Sequence, residues 1–449
     1  MVRSITLNHI TKIEGHAKLN LGIDKGKVTT CELSATEGSR YFEGIVKGRK
    51  YFEAHESTSR ICGICSCAHV VAALTAIEDA LGIQISEQAR DLRILITLGE
   101  RIRSHATHLY FLALPDYLGC ESALAMAPRY KKELQNALQL MKAGNSLIQM
   151  LGARDIHPVS ATPGGWLKTP SKGQIDEAKE RLFGAMPSAI KTCELFFSFP
   201  APAFESSSDW FSLSNKDEYA VLDGNFCSAK NSFERHRYRD FLKEFHEERS
   251  TANFVTKQGK RYMVGALARL NNNSAQLLPK AKSILFKSKI SLPCRNPYLQ
   301  NSAQAIEIVH CIEHAISILE RLDGRPMDIP PITPRAGRGV GAIEVPRGTL
   351  WHEYELDGTG TITYANIITP TAQNLLSIQE DIREIVPSLL SRSPQKEELI
   401  LSIEKLIRSY DPCFSCSAHF LEVNWEEAKR NGTRVSGKTD KNQNYRKQH

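Results

Sequence analysis

The sequence predicts a helix-rich α+β fold. Long stretches from residue 67 onward place apolar residues at helical spacing, and strand-like alternation is confined to the first thirty-five residues and to 338–368. No linker-like stretch divides the chain before residue 419.

At the N-terminus, "HAKLNLG" and "VTTCELSA" flank the turn signal "IDKGK", which predicts a hairpin. In "AHVVAALTAIEDALG", Val70, Val71, Leu74, Ile77 and Leu81 share one helical face, and Gly82 supplies a stop. Ser86 is placed to cap a long helix that runs to about Pro115. Further helical patterns cover 128–150, 172–192, 303–322, 371–389 and 395–409, and "DGTG" marks a hairpin turn between "TLWHEYEL" and "TITYANII". After residue 419, "FLEVNWEE" has strand character, whereas the last half of the tail is polar, low in aromatics and expected to be loose.

With 41% hydrophobic and 24% charged residues, the chain has an ordinary globular composition. Its net charge of +7 arises from 57 basic and 50 acidic residues. No basic stripe interleaves with aromatics, so no nucleic-acid partner is expected. Neither a signal-like N-terminus nor a run of about 18 apolar residues occurs, so the chain reads as cytoplasmic without a membrane span. Eleven cysteines, an odd number in that setting, point to reduced thiols or metal ligands rather than a disulfide framework.

Four of those cysteines form two C-x-x-C pairs, Cys62/Cys65 near one end and Cys413/Cys416 near the other. Each pair presents two sulfurs to one ion, and thiolates suit zinc, copper(I), iron–sulfur clusters and other soft metals. A zinc staple joining the chain ends is the plain reading of such pairs. However, zinc modules are usually compact in sequence, and here nearly the whole chain separates the pairs. That separation favours a cofactor buried between helices.

The surroundings are more specific. Arg60, Cys62, Gly63, Cys65 and His69 form R-x-C-G-x-C-x-x-x-H, and Asp411, Pro412, Cys413, Cys416 and His419 form D-P-C-x-x-C-x-x-H. Together with "IEGH", "FEGIVKGR", "RSHATHLYFLALPDYLG", "RDIHPV", "EVPRG" and "ANIITPTAQN", these motifs resemble the large, catalytic subunit of nickel–iron hydrogenases, in the style of the cytoplasmic cofactor-coupled type. The resemblance spans nearly all of 1–419, which is taken as the catalytic domain. It implies a central helical bundle with peripheral β-hairpins, and reversible heterolytic cleavage of H2.

Carried over, Cys62 and Cys413 are terminal nickel ligands, while Cys65 and Cys416 bridge nickel to an iron that carries carbonyl and cyanide ligands. Cys413 is the expected first proton acceptor and Glu14 the relay carboxylate. Arg347 is expected over the open metal position, paired with Asp411, with Pro346 shaping the pocket. His69 is expected to hydrogen-bond a bridging sulfur, and Arg60 joins the cofactor-binding set. A separate magnesium or iron is expected on Glu43, His419 and the carbonyl of Ile367.

With no further cluster-type cysteine set in the chain, electrons require an iron–sulfur small subunit, followed by a flavin, nicotinamide or disulfide-reductase module. In many relatives an endopeptidase removes the tail after the C-terminal histidine, here 420–449. Cys67 is an additional thiol in the first motif, either a spectator or an oxidation-prone site. Two rival readings are a quinone-site or scaffold subunit of an NADH dehydrogenase-like complex, and a zinc-stapled structural protein. In the first the cysteine pairs are lost, whereas here all four are present.

Overall fold

A computed structural model describes residues 3–38, 41–288, 290–392 and 394–418, together with the backbone of 423–428 and 434–439. It is helix-rich α+β, as the periodicities require. The chain opens with an antiparallel meander of β1 (Arg3–Leu7), β2 (Ala17–Asp24) and β3 (Lys27–Ala35). The β2–β3 turn is the expected one, with Lys25 and Gly26 both at positive φ (48° and 78°).

Helix α1 (Ser66–Leu81) ends on Gly82, which is left-handed at φ 63°. Helix α2 (Glu87–Thr107) starts where Ser86 Oγ accepts from the Ala89 amide at 3.1 Å. The helical path does not stop at Pro115. A π segment, His108–Ala113, leads into a short helix, Leu114–Tyr117. Pro115 lies in the first turn of that helix, where a missing N–H costs least. Helices α3 (Lys131–Gly152) and α4 (Lys172–Ser198) follow, then α5 (Gln300–Arg321). Helix α2 packs on α3 and α5, and α4 on α3 and α5, forming the central bundle.

A second antiparallel meander, β4 (Gly337–Val345), β5 (Gly348–Leu356) and β6 (Ile362–Ile368), lies against α1. The close approach has a sequence cause. On β4, Gly337, Gly339 and Gly341 alternate onto the α1 face built from Ala72, Ala76 and Ala80. A Cβ on Gly341 would stand 2.4 Å from the Ala72 carbonyl oxygen. Small residues on both sides let a helix backbone rest on a strand backbone.

Helices α6 (Pro370–Leu390) and α7 (Lys396–Ser409) complete the described core and lead to the second cysteine pair. Residues 200–290, which carry no clear periodicity, form several two- to five-residue strands and the helices Ala266–Asn273 and Pro279–Lys287. In the tail, Val423–Ala428 pairs antiparallel with Arg434–Thr439. The first of these strands matches the character of "FLEVNWEE"; the second falls in the stretch expected to be loose. Among the described residues no helix is long and apolar enough to cross a membrane.

Candidate metal centre

The fold brings the two C-x-x-C loops together. Cys62 and Cys413 sulfurs lie 3.8 Å apart and Cys65 and Cys416 sulfurs 3.1 Å apart, each pair spanning 351 positions. Within the second loop, Cys413 and Cys416 sulfurs are 2.8 Å apart. All four lie within 4.8 Å of one another and are buried.

Each loop is held by its neighbours. The first precedes α1, whose N-terminal amides of Cys67 and Ala68 donate to Glu100 of α2 at 2.8 and 3.1 Å. Arg103, one turn further along α2, donates to the Ile64 carbonyl inside the loop and to the Asp155 carbonyl at 2.6 Å. The second loop follows α7. Its Cys413 amide donates to Thr371 Oγ1 at 2.8 Å, and its Phe414 amide donates to the Glu14 carbonyl at 2.8 Å. Glu14 and Cys413 thus form a parallel bridge that ties the N-terminal segment to the C-terminal thiols.

A cavity beside the sulfurs is lined by Cys65, Cys413, Cys416, His69, Pro346 and Arg347, among others. Pro346 and Arg347 are the two loop residues of the β4–β5 hairpin, because Val345 pairs with Gly348. Arg347 Nη2 lies 3.1 Å from Asp411 Oδ1, and Arg347 Nε donates to the Asp411 carbonyl at 2.7 Å. Gln304 Nε2 donates to Asp411 Oδ2 at 3.1 Å. Asp411 adopts φ 50°, a conformation Asp tolerates better than most residues.

The electrostatics suit a bound cation. Hydrogen bonds from Cys413, then Cys416 and Cys65, hold the Cys62 thiol well below its usual value. Burial raises Cys413 and Cys416 above theirs. Four thiols this close do not all ionise by themselves; a metal ion is the partner that releases the remaining protons. A buried set of four soft donors beside a fixed guanidinium therefore suits a thiolate-bound transition metal.

Glu14 is half-buried, and burial together with Cys62 raises its carboxyl above the usual range, against the pull of Arg347. Cys67 stands apart from the four sulfurs. It is fully buried, and burial, then the charge of Glu100, keeps its thiol protonated, which suits the spectator reading over the oxidation-prone one. Arg60 is exposed on the turn before Cys62 and does not line the cavity.

Glu43 is buried in the short helix Phe42–Val46, which packs on β6; its charge reaches Tyr354. Ile367 is buried on β6, opposite His352. The expected third member of that set, His419, lies outside the described residues.

Four residues given no individual role on sequence grounds support the site: Arg103, Glu100, Thr371 and His352, whose Nε2 lies 3.0 Å from Nδ1 of the cavity-lining His69. Arg103 and Thr371 sit inside quoted motifs. His352 carried a signal too, since Leu350, His352 and Tyr354 alternate on β5 directly after the "EVPRG" hairpin.

Comparisons with known proteins identify the chain's relatives. The profile of the nickel-dependent hydrogenase family matches residues 40–154 and 301–419. The chain is 36% identical to the alpha subunit of sulfhydrogenase 1 from Pyrococcus furiosus, covering 93% of this chain and 98% of that one. It is 30% identical to a subunit of the F420-non-reducing hydrogenase of Methanothermobacter marburgensis, covering 93% and 95%. A solved NAD+-reducing [NiFe]-hydrogenase in the H2-reduced state matches with a TM-score of 0.85 at 27% identity, covering 93% of this chain and 99% of that one. The chain belongs to the nickel-dependent hydrogenase family and has the fold of its large subunits.

Proposed function

We propose that this chain is the catalytic subunit of a nickel–iron hydrogenase, an oxidoreductase that cleaves H2 heterolytically and reversibly into protons and electrons. The observation that carries this reading is the convergence of four buried thiols from opposite ends of the chain on one cavity, with Arg347 in its wall.

In this reading Cys62 and Cys413 would hold nickel, and Cys65 and Cys416 would hold nickel together with an iron bearing carbonyl and cyanide. Once bound, that centre supplies the polarising metal sites and takes up the electrons. The protein's own residues handle the proton. Cys413 accepts it at sulfur, and Glu14, joined to the same loop through the Phe414 amide, carries it away. Arg347, fixed by Asp411, keeps a positive charge at the cavity wall without being able to take up a proton itself. Pro346 sets the hairpin that places it.

Glu43, the Ile367 carbonyl and His419 form a second site of oxygen and nitrogen donors for magnesium or iron. An iron–sulfur small subunit receives the electrons. The likeness to an NAD+-reducing hydrogenase supports a nicotinamide- or flavin-linked acceptor beyond it, with a disulfide-reductase module as the other option. Arg60 belongs near the cofactor through the turn it shares with Cys62. Cysteines held as thiols suit a reducing cytoplasm, and an endopeptidase acting after His419 suits the tail.

The test is isotope exchange, which needs no electron acceptor. Anaerobically prepared protein under H2 in D2O should release HD. A zinc-stapled protein or a scaffold subunit would release none.

A further inference from the structure

Three buried side chains form a hydrogen-bonded row that starts at the cavity wall. His69 lines the cavity with Cys65, Cys413 and Cys416. Its Nδ1 lies 3.0 Å from His352 Nε2, and His352 Nδ1 lies 2.8 Å from the Tyr354 hydroxyl. Both histidines are almost fully buried, as is Tyr354. We propose that His352 and Tyr354 are positioning residues that lock His69 in the tautomer whose Nε2–H faces the metal-binding thiolates, an inference that rests on the hydrogenase reading above.

A neutral imidazole has one donor nitrogen and one acceptor, so this row has only two self-consistent directions. In one, Tyr354 donates to His352 Nδ1, His352 Nε2–H donates to His69 Nδ1, and His69 presents Nε2–H to sulfur. In the other every bond is reversed and His69 presents a lone pair to anionic sulfur. The thiolate end of the row chooses between them. Thiolates accept hydrogen bonds, and a lone pair against them is repulsive. At the far end the Tyr354 hydroxyl, kept protonated by burial, is able to donate to His352 Nδ1. The same hydroxyl also has Thr58 as a hydrogen-bond partner, and Thr58 Oγ1 donates to the Ala54 carbonyl at 2.9 Å, so the direction of the row is set at its thiolate end.

An N–H bond onto a metal-bound thiolate draws electron density from sulfur and makes the metal easier to reduce. Sheet geometry holds the two supporting groups in place. His352 and Tyr354 are alternate residues of β5, so both point to the same face of the sheet, the one that packs on α1.

Neutron diffraction from deuterium-exchanged crystals of the wild-type protein, with its partner, reads the direction directly. Deuterium is expected on His69 Nε2, His352 Nε2 and Tyr354 Oη; deuterium on His69 Nδ1 overturns the proposal. The variant Tyr354→Phe removes the terminal donor while keeping the ring. Its nickel content should match wild type, and its nickel couple should move to more negative potential by up to tenfold in the equilibrium constant, about 59 mV for one electron. A fully loaded variant with an unmoved couple also overturns it. Protein without nickel counts against the hydrogenase reading instead, and the deuterium positions still decide the direction of the row.

Discussion

Arg347 and Asp411 are joined twice, through a 3.1 Å side-chain ion pair and a 2.7 Å hydrogen bond from Arg347 Nε to the Asp411 carbonyl. Both are buried, and Arg347 lines the cavity. Asp411→Ala leaves a buried guanidinium unpaired and should cost about 3–5 kcal/mol in stability. Arg347→Lys keeps a charge but loses the fork, and should lower H2 turnover roughly tenfold or more while leaving nickel in place. Denaturation midpoints and nickel-normalised turnover separate the two effects.

Cys416→Ser replaces a soft thiolate with a hydroxyl inside the four-sulfur set. Nickel content and H2 activity should both fall to background, while the circular-dichroism spectrum stays helical. Normal turnover in this variant would remove Cys416 from the site.

Glu14→Gln keeps the backbone bond to Phe414 but removes the titratable group. Proton exchange, read as HD release, should slow by about 10²-fold or more with nickel unchanged. An unchanged exchange rate would place the relay elsewhere.

Glu100 is fully buried, and burial pushes its carboxyl from a usual 4.5 up to about 7 despite the amides it accepts from. Between those values the folded state holds a proton that the unfolded state has released. Stability from this group should therefore fall as pH rises from about 4.5 to about 7, then level off. Urea midpoints measured across this window should show the decline in wild type and lose that component in Glu100→Gln.

Gly341→Ala places a methyl group 2.4 Å from the Ala72 carbonyl oxygen. Separating β4 from α1 should cost about 1–3 kcal/mol. Because α1 carries His69 and follows Cys65, nickel loading should drop as well. A variant with wild-type melting temperature and nickel content would mean the strand and helix do not share this contact.

Much of this architecture is legible in the chain. The α1 face, the Gly82 stop, the Ser86 cap and the "DGTG" turn follow from local rules, and those elements form as expected. Residues 200–290 are not legible, because strands of two to five residues carry too few positions to show a period. The four thiols are legible as a pair of pairs, but their meeting is not, since it depends on the whole bundle. Glu100, Arg103 and Thr371 were hidden for a related reason. Each acts through a backbone amide or carbonyl of a cysteine loop, and such a bond leaves no spacing signature in sequence.

Elemental analysis of anaerobically purified protein, together with any partner that co-purifies, tests the central claim most directly. The account predicts about one nickel per chain for the one four-thiolate set among the described residues, with iron in excess of nickel. Zinc in place of nickel, in protein that releases no HD, would contradict it.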